Sequence, residues 1–263
     1  MTPVLHPTLV DGRFGAPTLY VDRLFEQRAL LLDLGGPSAL YGEGRCLRGR
    51  EMAGPAQRIV RLRIELSDTE PPIWRRVDVP ADFPLRRLHD VIQAVFAWVG
   101  YHLHQFEIND RIYGAPEYDD GELDGTRLYS DRNIRLGALL DRGVKRFVYR
   151  YDFGDDWEHI VTVEQKLDPE DGVEYPLLVD GARRAPPEDC GGPPGFEAFL
   201  EAMRDEAHEE HEAMMEWYGE RFDPEDLELE AVEAMLGRIR ASRRKGPAKG
   251  SRTTSRKVWA KRA

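Results

Sequence analysis

Cysteine is almost missing from this chain: Cys46 and Cys190 are the only two in 263 residues, and they lie far apart. That excludes a multi-bridge disulfide framework and fits a reducing compartment. No apolar run approaches the ~18 residues of a membrane-spanning helix. The opening MTPVLHPTLVDGRFG has no basic region leading into an apolar stretch, so it does not read as a signal peptide. A cytoplasmic protein with no membrane partner is therefore expected. Two catalytic signatures are absent as well, the Gly-x4-Gly-Lys-Ser/Thr phosphate loop and the Gly-x-Ser-x-Gly nucleophile elbow. Without the first, DEAH at 205–208 only imitates a helicase box. HEEH at 208–211 lacks the four-residue histidine spacing of zinc proteases, because position 212 is Glu, and it reads as a solvated helix face.

Charge is present but unevenly placed. From Gly237 to Ala263 there are eleven Lys or Arg and no Asp or Glu, which leaves 26 basic against 48 acidic groups in the rest. An acidic body should repel nucleic acid, whereas the basic end could neutralise phosphates, with Trp259 available for stacking, or fold back on the body.

Composition divides the chain into four stretches. Residues 1–45 contain TLYVDRLFEQRALLLDLG, two apolar strands joined at Glu26–Gln27 and stopped by Gly35–Gly36–Pro37. Residues 46–57 form a linker. The body, 58–237, opens with IVRLRIEL and IWRRVDV, both alternating as half-buried strands do. PLRRLHDVIQAVFAWV then switches to helical spacing, through Leu85, Leu88, Val91, Ile92, Val95, Phe96 and Val99. HLHQFEI and RIYG are short strands, LGALLDRG is a helical turn, and RFVYRYDF with WEHIVTVEQ is a hairpin. YPLLVDGARRAPPEDCGGPPG reads as a loop before acidic helices near 194–218 and 225–240. The order gives an α+β class, with a mixed, largely antiparallel sheet, an amphipathic helix packed on it and C-terminal helices. The last stretch, 238–263, is polar and basic and is expected to be disordered.

The hairpin carries the densest chemistry. With Gly154, Asp155 and Asp156 as a three-residue loop, Tyr151 faces His159, Tyr149 faces Val161 and Phe147 faces Val163. Rings then gather on one side together with Trp157. The same register sets Asp152 opposite Glu158, an unfavourable pair that calls for an arginine (Arg75, Arg76 or Arg150) or a bound cation. His102 and His104 share a strand face, as two metal ligands can, and His159 or a carboxylate would complete a site. Read as structural residues instead, they form an edge pair, with His159 bonded to a tyrosine. Cys190 could act as a nucleophile with a histidine base, but its Pro/Gly-rich loop favours a structural role.

PPIWRRVDVPADFPLRRLHDVIQAVFAW, HLHQFEI, YRYDFGDDWEHIV and PPEDCGGPPGFEAFLEAM together resemble the plasmid pRiA4b ORF-3-like family, also described as resolvase-like passenger proteins of insertion elements. The resemblance implies a compact α+β domain in a mobile-element setting, with no established activity. Family members often carry a cysteine where this chain has Ala185, so any site built on that cysteine pair is lost here. HPTLVDGRFGAPTLYVDRLFEQRALLLDLG resembles the opening hairpin of a metallo-β-lactamase-fold hydrolase of the ribonuclease Z type, without its His-x-His-x-Asp-His zinc loop.

We therefore expect a non-enzymatic binding module that contacts a protein or nucleic acid and uses no cofactor. The candidate contact residues are Trp74, Arg75, Arg76, His102, His104, Tyr151, Asp152, Asp155, Asp156, Trp157, Glu158, His159, Asp189 and Cys190. The alternative is a metal-dependent enzyme that holds a divalent ion through His102, His104 and His159 with carboxylates between Asp152 and Glu158.

Overall fold

A computed structural model describes residues 58–115 and 127–244. The expected N-terminal hairpin and linker, and the tail after Arg244, lie outside the described residues.

Eight strands form one sheet in the order β5-β4-β3-β6-β7-β1-β2-β8. They are β1 (Ile59–Leu66), β2 (Trp74–Pro80), β3 (His104–Ile108), β4 (Arg111–Gly114), β5 (Leu128–Ser130), β6 (Arg146–Tyr151), β7 (Trp157–Leu167) and β8 (Leu177–Ala182). All neighbours run antiparallel except β4 and β5. Helix α1 (Leu85–Val95) covers one face of the centre, and α2 (Leu136–Asp141) is the short helical turn expected from LGALLDRG. The last helix, α5 (Leu229–Arg244), packs on α1.

Alternation in β1 does what the pattern demands: Leu62, Ile64 and Leu66 are buried while Arg61, Arg63 and Glu65 are only partly so. In α1 the apolar stripe buries Leu85, Leu88, Val91, Ile92 and Val95 completely. Its first backbone N–H groups have no side-chain cap and donate instead to Ile134 O and Asp131 O. The helical spacing reaches Val99, yet the helix stops at Val95. Ala97 takes a positive φ of 56° and Gly100 one of 73°, which turns the chain toward β3 and leaves Val99 exposed.

Helices α3 (Gly192–Arg204) and α4 (His211–Tyr218) occupy what the sequence reads as one acidic helix. They fall mainly in a second compact unit, whose described residues are 194–223. That unit has its own aromatic cluster, in which Phe199 meets Trp217, Tyr218 and Phe222 edge-on. HEEH lies in the turn that leads into α4 rather than on a helix face, and His211 Nδ1 lies 2.8 Å from Ala202 O in the same unit.

Three further expectations change. Residues 177–182 form edge strand β8 on β2, not a loop. Their burial shows no alternation, so periodicity had no purchase on them. The stretch expected to be disordered from residue 238 is helical as far as Arg244, where α5 ends. The hairpin register also differs by two residues. Tyr151 pairs with Trp157, Tyr149 with His159 and Phe147 with Val161, so residues 152–156 make a five-residue turn. A shift of two preserves the faces. Phe147, Tyr149, Tyr151, Trp157, His159 and Val161 are all buried on the α1 side, while Phe153 leaves the face and is half exposed.

Candidate functional site

The corrected register abolishes the Asp152–Glu158 clash. Arg150 stands opposite Glu158 and its guanidinium binds Glu158, Asp156 and Glu107, each at 2.7 Å. Arg150 is thus the compensating arginine, and Asp156 and Glu158 are satisfied as its partners. Arg75 and Arg76 act elsewhere. Arg76 pairs with Glu164 and Asp180 on the sheet surface and, with Arg63, flanks the Trp74 ring. Arg75 is fully buried and donates to Val95 O, Trp74 O and Ala182 O at 2.7 to 3.0 Å. Burial pulls its pKa down to about 10, so it remains charged near neutrality. Arg75 is thus a buried structural residue, whereas Trp74 and Arg76 lie part-exposed on the sheet surface, away from the other candidates.

The expected histidine cluster separates into three environments. His159 is sealed in the core, edge-on to Phe96 and Trp98, and burial lowers its pKa to about 3. His104 stacks on His89 at 3.7 Å, and its Nε2 lies 3.1 Å from the buried Asp131. His89 in turn meets Tyr149 Oη at 2.8 Å, which also accepts a bond from Gln93 Nε2. Neither His104 nor His159 shares a site with His102.

His102 turns toward the hairpin tip and the loop before α3. Its Nε2 lies 3.0 Å from Asp189 Oδ1 and 3.3 Å from Asp152 Oδ2, at ion-pair distance but without a well-aligned hydrogen bond to either. One donor atom from each of His102, Asp152 and Asp189 falls within 4.8 Å of the others. Glu188 is close behind: it accepts from Tyr151 Oη and from the Val99 amide. Tyr101 Oη donates to Asp189. Asp155 accepts from the Gly191 amide at 3.1 Å.

Local backbone geometry brings these segments together. Asp152, Asp156 and Asp189 all have positive φ, which aspartate tolerates better than most residues, and Asp152 Oδ1 accepts from the Gly154 amide in the turn. The Asp152 amide donates to Leu103 O, tying the tip to the His102 loop. Gly192, at φ 68°, packs so closely that a Cβ there would sit 2.4 Å from Asp155 O. Gly192→Ala is therefore expected to push the 188–192 loop off the hairpin tip, at a cost of about 2 kcal/mol or more. A thermal melt checks the loss, and a Tm like that of the parent protein would contradict the packing described.

The electrostatics fit a crowded anionic site. Burial raises the pKa of Asp155, and the charges of Asp152 and Asp189 add to it. Glu188 is also raised, chiefly by burial. For His102 burial acts downward, but its contacts with Asp189 and Asp152 outweigh this and the net shift is upward. Burial lifts the Cys190 thiol well above its ordinary value, and the neighbouring charges of Asp155, Asp189 and Asp152 add to this. That is the reverse of the electropositive setting that activates a cysteine. Its thiol stays protonated, and nucleophilic catalysis through it finds no support.

Of the candidate residues, His102, Tyr151, Asp152, Asp155, Asp189 and Cys190 thus converge, while Trp74, Arg75, Arg76, His104, Asp156, Trp157, Glu158 and His159 serve the sheet and its core. Glu188 and Tyr101 were missed. Both adjoin residues singled out in the sequence, Asp189 and His102, and that adjacency was the signal available.

The family model described as plasmid pRiA4b ORF-3-like protein matches residues 58–231. The chain is 43% identical over 163 residues to the uncharacterized protein y4hQ of Sinorhizobium fredii (strain NBRC 101917 / NGR234), covering 61% of this chain and 81% of that protein. The crystal structure of MM3350, a protein of unknown function from Methanosarcina mazei Go1, superposes with a TM-score of 0.61 at 38% identity, covering 67% of this chain and 97% of that one.

Proposed function

The chain belongs to the plasmid pRiA4b ORF-3-like family, and from that premise we propose that its domain is a binding module whose ligand is a divalent cation held by His102, Asp152 and Asp189. The observation that carries this reading is the convergence of one imidazole and two carboxylates within 4.8 Å, from three segments far apart in sequence. Donor atoms at such separations suit a central ion with ligand bonds of about 2.0–2.3 Å. A mixed imidazole and carboxylate set favours zinc, manganese or iron(II) over calcium or magnesium. A cation would also relieve the mutual repulsion that raises Asp155. The aromatic face of the hairpin, an expected contact surface, is core under α1 and serves no partner, so the binding role moves to its acidic tip.

Titration calorimetry of the full chain with Zn2+ or Mn2+ tests the proposal. One ion per chain is expected, with affinity reduced by roughly 100-fold or more in His102→Ala. His104→Ala is the contrast, since His104 lies in the Asp131 environment, and it should lower stability while leaving the stoichiometry at one. Equal affinities in the parent protein and His102→Ala would refute the site.

A further inference from the structure

Helices α1 and α5 do not close fully on each other: with the loop after α1 they leave an open groove of about 240 Å3. Arg86, Asp90 and Gln93, spaced along one face of α1, line it together with Arg238 of α5. Trp98, Val99 and Ile239 supply an apolar wall. Such a volume is worth about eight waters and falls below the ~300–1,000 Å3 of sites for larger organic ligands, so it suits a molecule of amino-acid size. The polar lining has bonding capacity to spare. Gln93 is 4% exposed, and its Nε2 donates to Tyr149 Oη at 2.9 Å, but its buried Oε1 has no partner. A buried carbonyl in that state gains from any N–H donor that reaches it. Gly100, also in the lining, leaves this oxygen uncovered: a Cβ there would sit 3.4 Å from it.

Asp90 meets Arg86 only at 3.5 Å and Arg87 only at 3.9 Å, and burial raises its pKa despite both arginines. Arg238 is exposed and pairs with no acid among the described residues. The groove thus sets an acid and a buried acceptor beside two guanidinium groups. A simple anion would meet Asp90, and a simple cation would meet Arg86 and Arg238. A zwitterion satisfies both signs at once. We propose that this groove binds a free α-amino acid with an apolar side chain. Its ammonium lies against Asp90 and Gln93 Oε1, its carboxylate against Arg238 and Arg86, and its side chain against Trp98, Val99 and Ile239. None of these residues belongs to the His102, Asp152 and Asp189 set, and the inference does not require the metal.

Titration calorimetry of the full chain with L-phenylalanine and with L-leucine, in EDTA so that any bound metal is excluded, tests the assignment. At least one of them should bind once per chain, with a Kd of about 1 mM or tighter. Phenylpropanoate, which lacks the ammonium, and phenethylamine, which lacks the carboxylate, should each bind roughly tenfold or more weakly than phenylalanine. Asp90→Asn and Arg238→Ala should each weaken amino-acid binding by a similar factor. Arg238→Ala changes only an exposed side chain, so it keeps the test decisive should Asp90→Asn fail to fold. No heat with either amino acid up to about 10 mM overturns the inference. So does an affinity unmoved by Arg238→Ala, or phenylpropanoate or phenethylamine binding as tightly as phenylalanine. Binding that is lost in His102→Ala would put the ligand at the acidic site and overturn the groove.

Discussion

Replacing Arg75 with methionine should cost the domain about 3–5 kcal/mol. The side chain is 1% exposed and its guanidinium joins three elements, through Val95 O in the last turn of α1, Trp74 O in β2 and Ala182 O in β8. Carbonyls of a final helical turn have no partner within their helix, and Arg75 supplies one. Space for the arginine exists because position 181 is glycine: a Cβ there would sit 3.0 Å from Arg75 Cδ. Methionine fills much of the volume but removes the guanidinium's bonds to the buried Val95 carbonyl and to the part-buried Trp74 and Ala182 carbonyls. Replacing a buried ion pair with apolar groups is often harmless because both charges disappear together. Here the partners are backbone carbonyls and cannot be removed. Urea denaturation should show a lower midpoint at unchanged slope. Arg76→Met provides the comparison, since it loses surface pairs with Glu164 and Asp180 and should cost no more than about 1 kcal/mol. A loss below ~1 kcal/mol for Arg75→Met would mean that water reaches those carbonyls.

The second large effect is sensitivity to acid. Burial depresses both His89 and His159 from an ordinary value of 6.5, the latter to about 3. The folded protein keeps both neutral, whereas the unfolded chain protonates both below 6.5. Each such group therefore lowers stability as pH falls through that window, by about 1.4 kcal/mol per pH unit. His102 works in the opposite sense. Its raised value stabilises the fold below 6.5 and that contribution is lost as pH rises through the folded value. The raised Asp155 and Glu188 also oppose the loss, since the folded state binds their protons first. A single substitution isolates one histidine from these terms. His159→Gln cannot take up the proton, so the stability difference between parent and variant should move by about 2 kcal/mol in the variant's favour between pH 6.5 and 5. A difference that stays constant over this range would show that His159 protonates in the folded protein.

Much of the architecture is legible in local pattern. Alternation locates β1 and β2, and helical spacing locates α1, because each buries one side against a single layer. The side of the hairpin that is buried also follows from alternation, and it survives an error of two in register, since only an odd slip exchanges the faces. The register itself depends on the turn. Asp152 and Asp156 adopt positive φ, so five residues span what a shorter loop would, and nothing in YDFGDDW announces this. Strand β8 escapes because neither of its sides is fully buried, so its residues do not alternate. The site is half legible for a related reason. His102, Asp152 and Asp189 stand out by residue type, but their grouping is tertiary. His104, two positions from His102, looks equivalent in sequence and is claimed instead by Asp131 and by stacking on His89.

The neighbour order of the strands bears on how the protein is made. Strand β1 lies between β2, which follows it closely, and β7, which reaches Leu167. During synthesis the β1–β2 hairpin emerges with both flanks unpaired, and β1 waits until about a hundred further residues leave the ribosome, several seconds at ordinary elongation rates. Only the arrival of β7 joins β1–β2 to β3–β4–β5 and β6, and β8 is added on β2 afterwards. Nascent chains halted before residue 157 should thus display an open, apolar strand edge, making this interval the one in which chaperone capture or aggregation is decided.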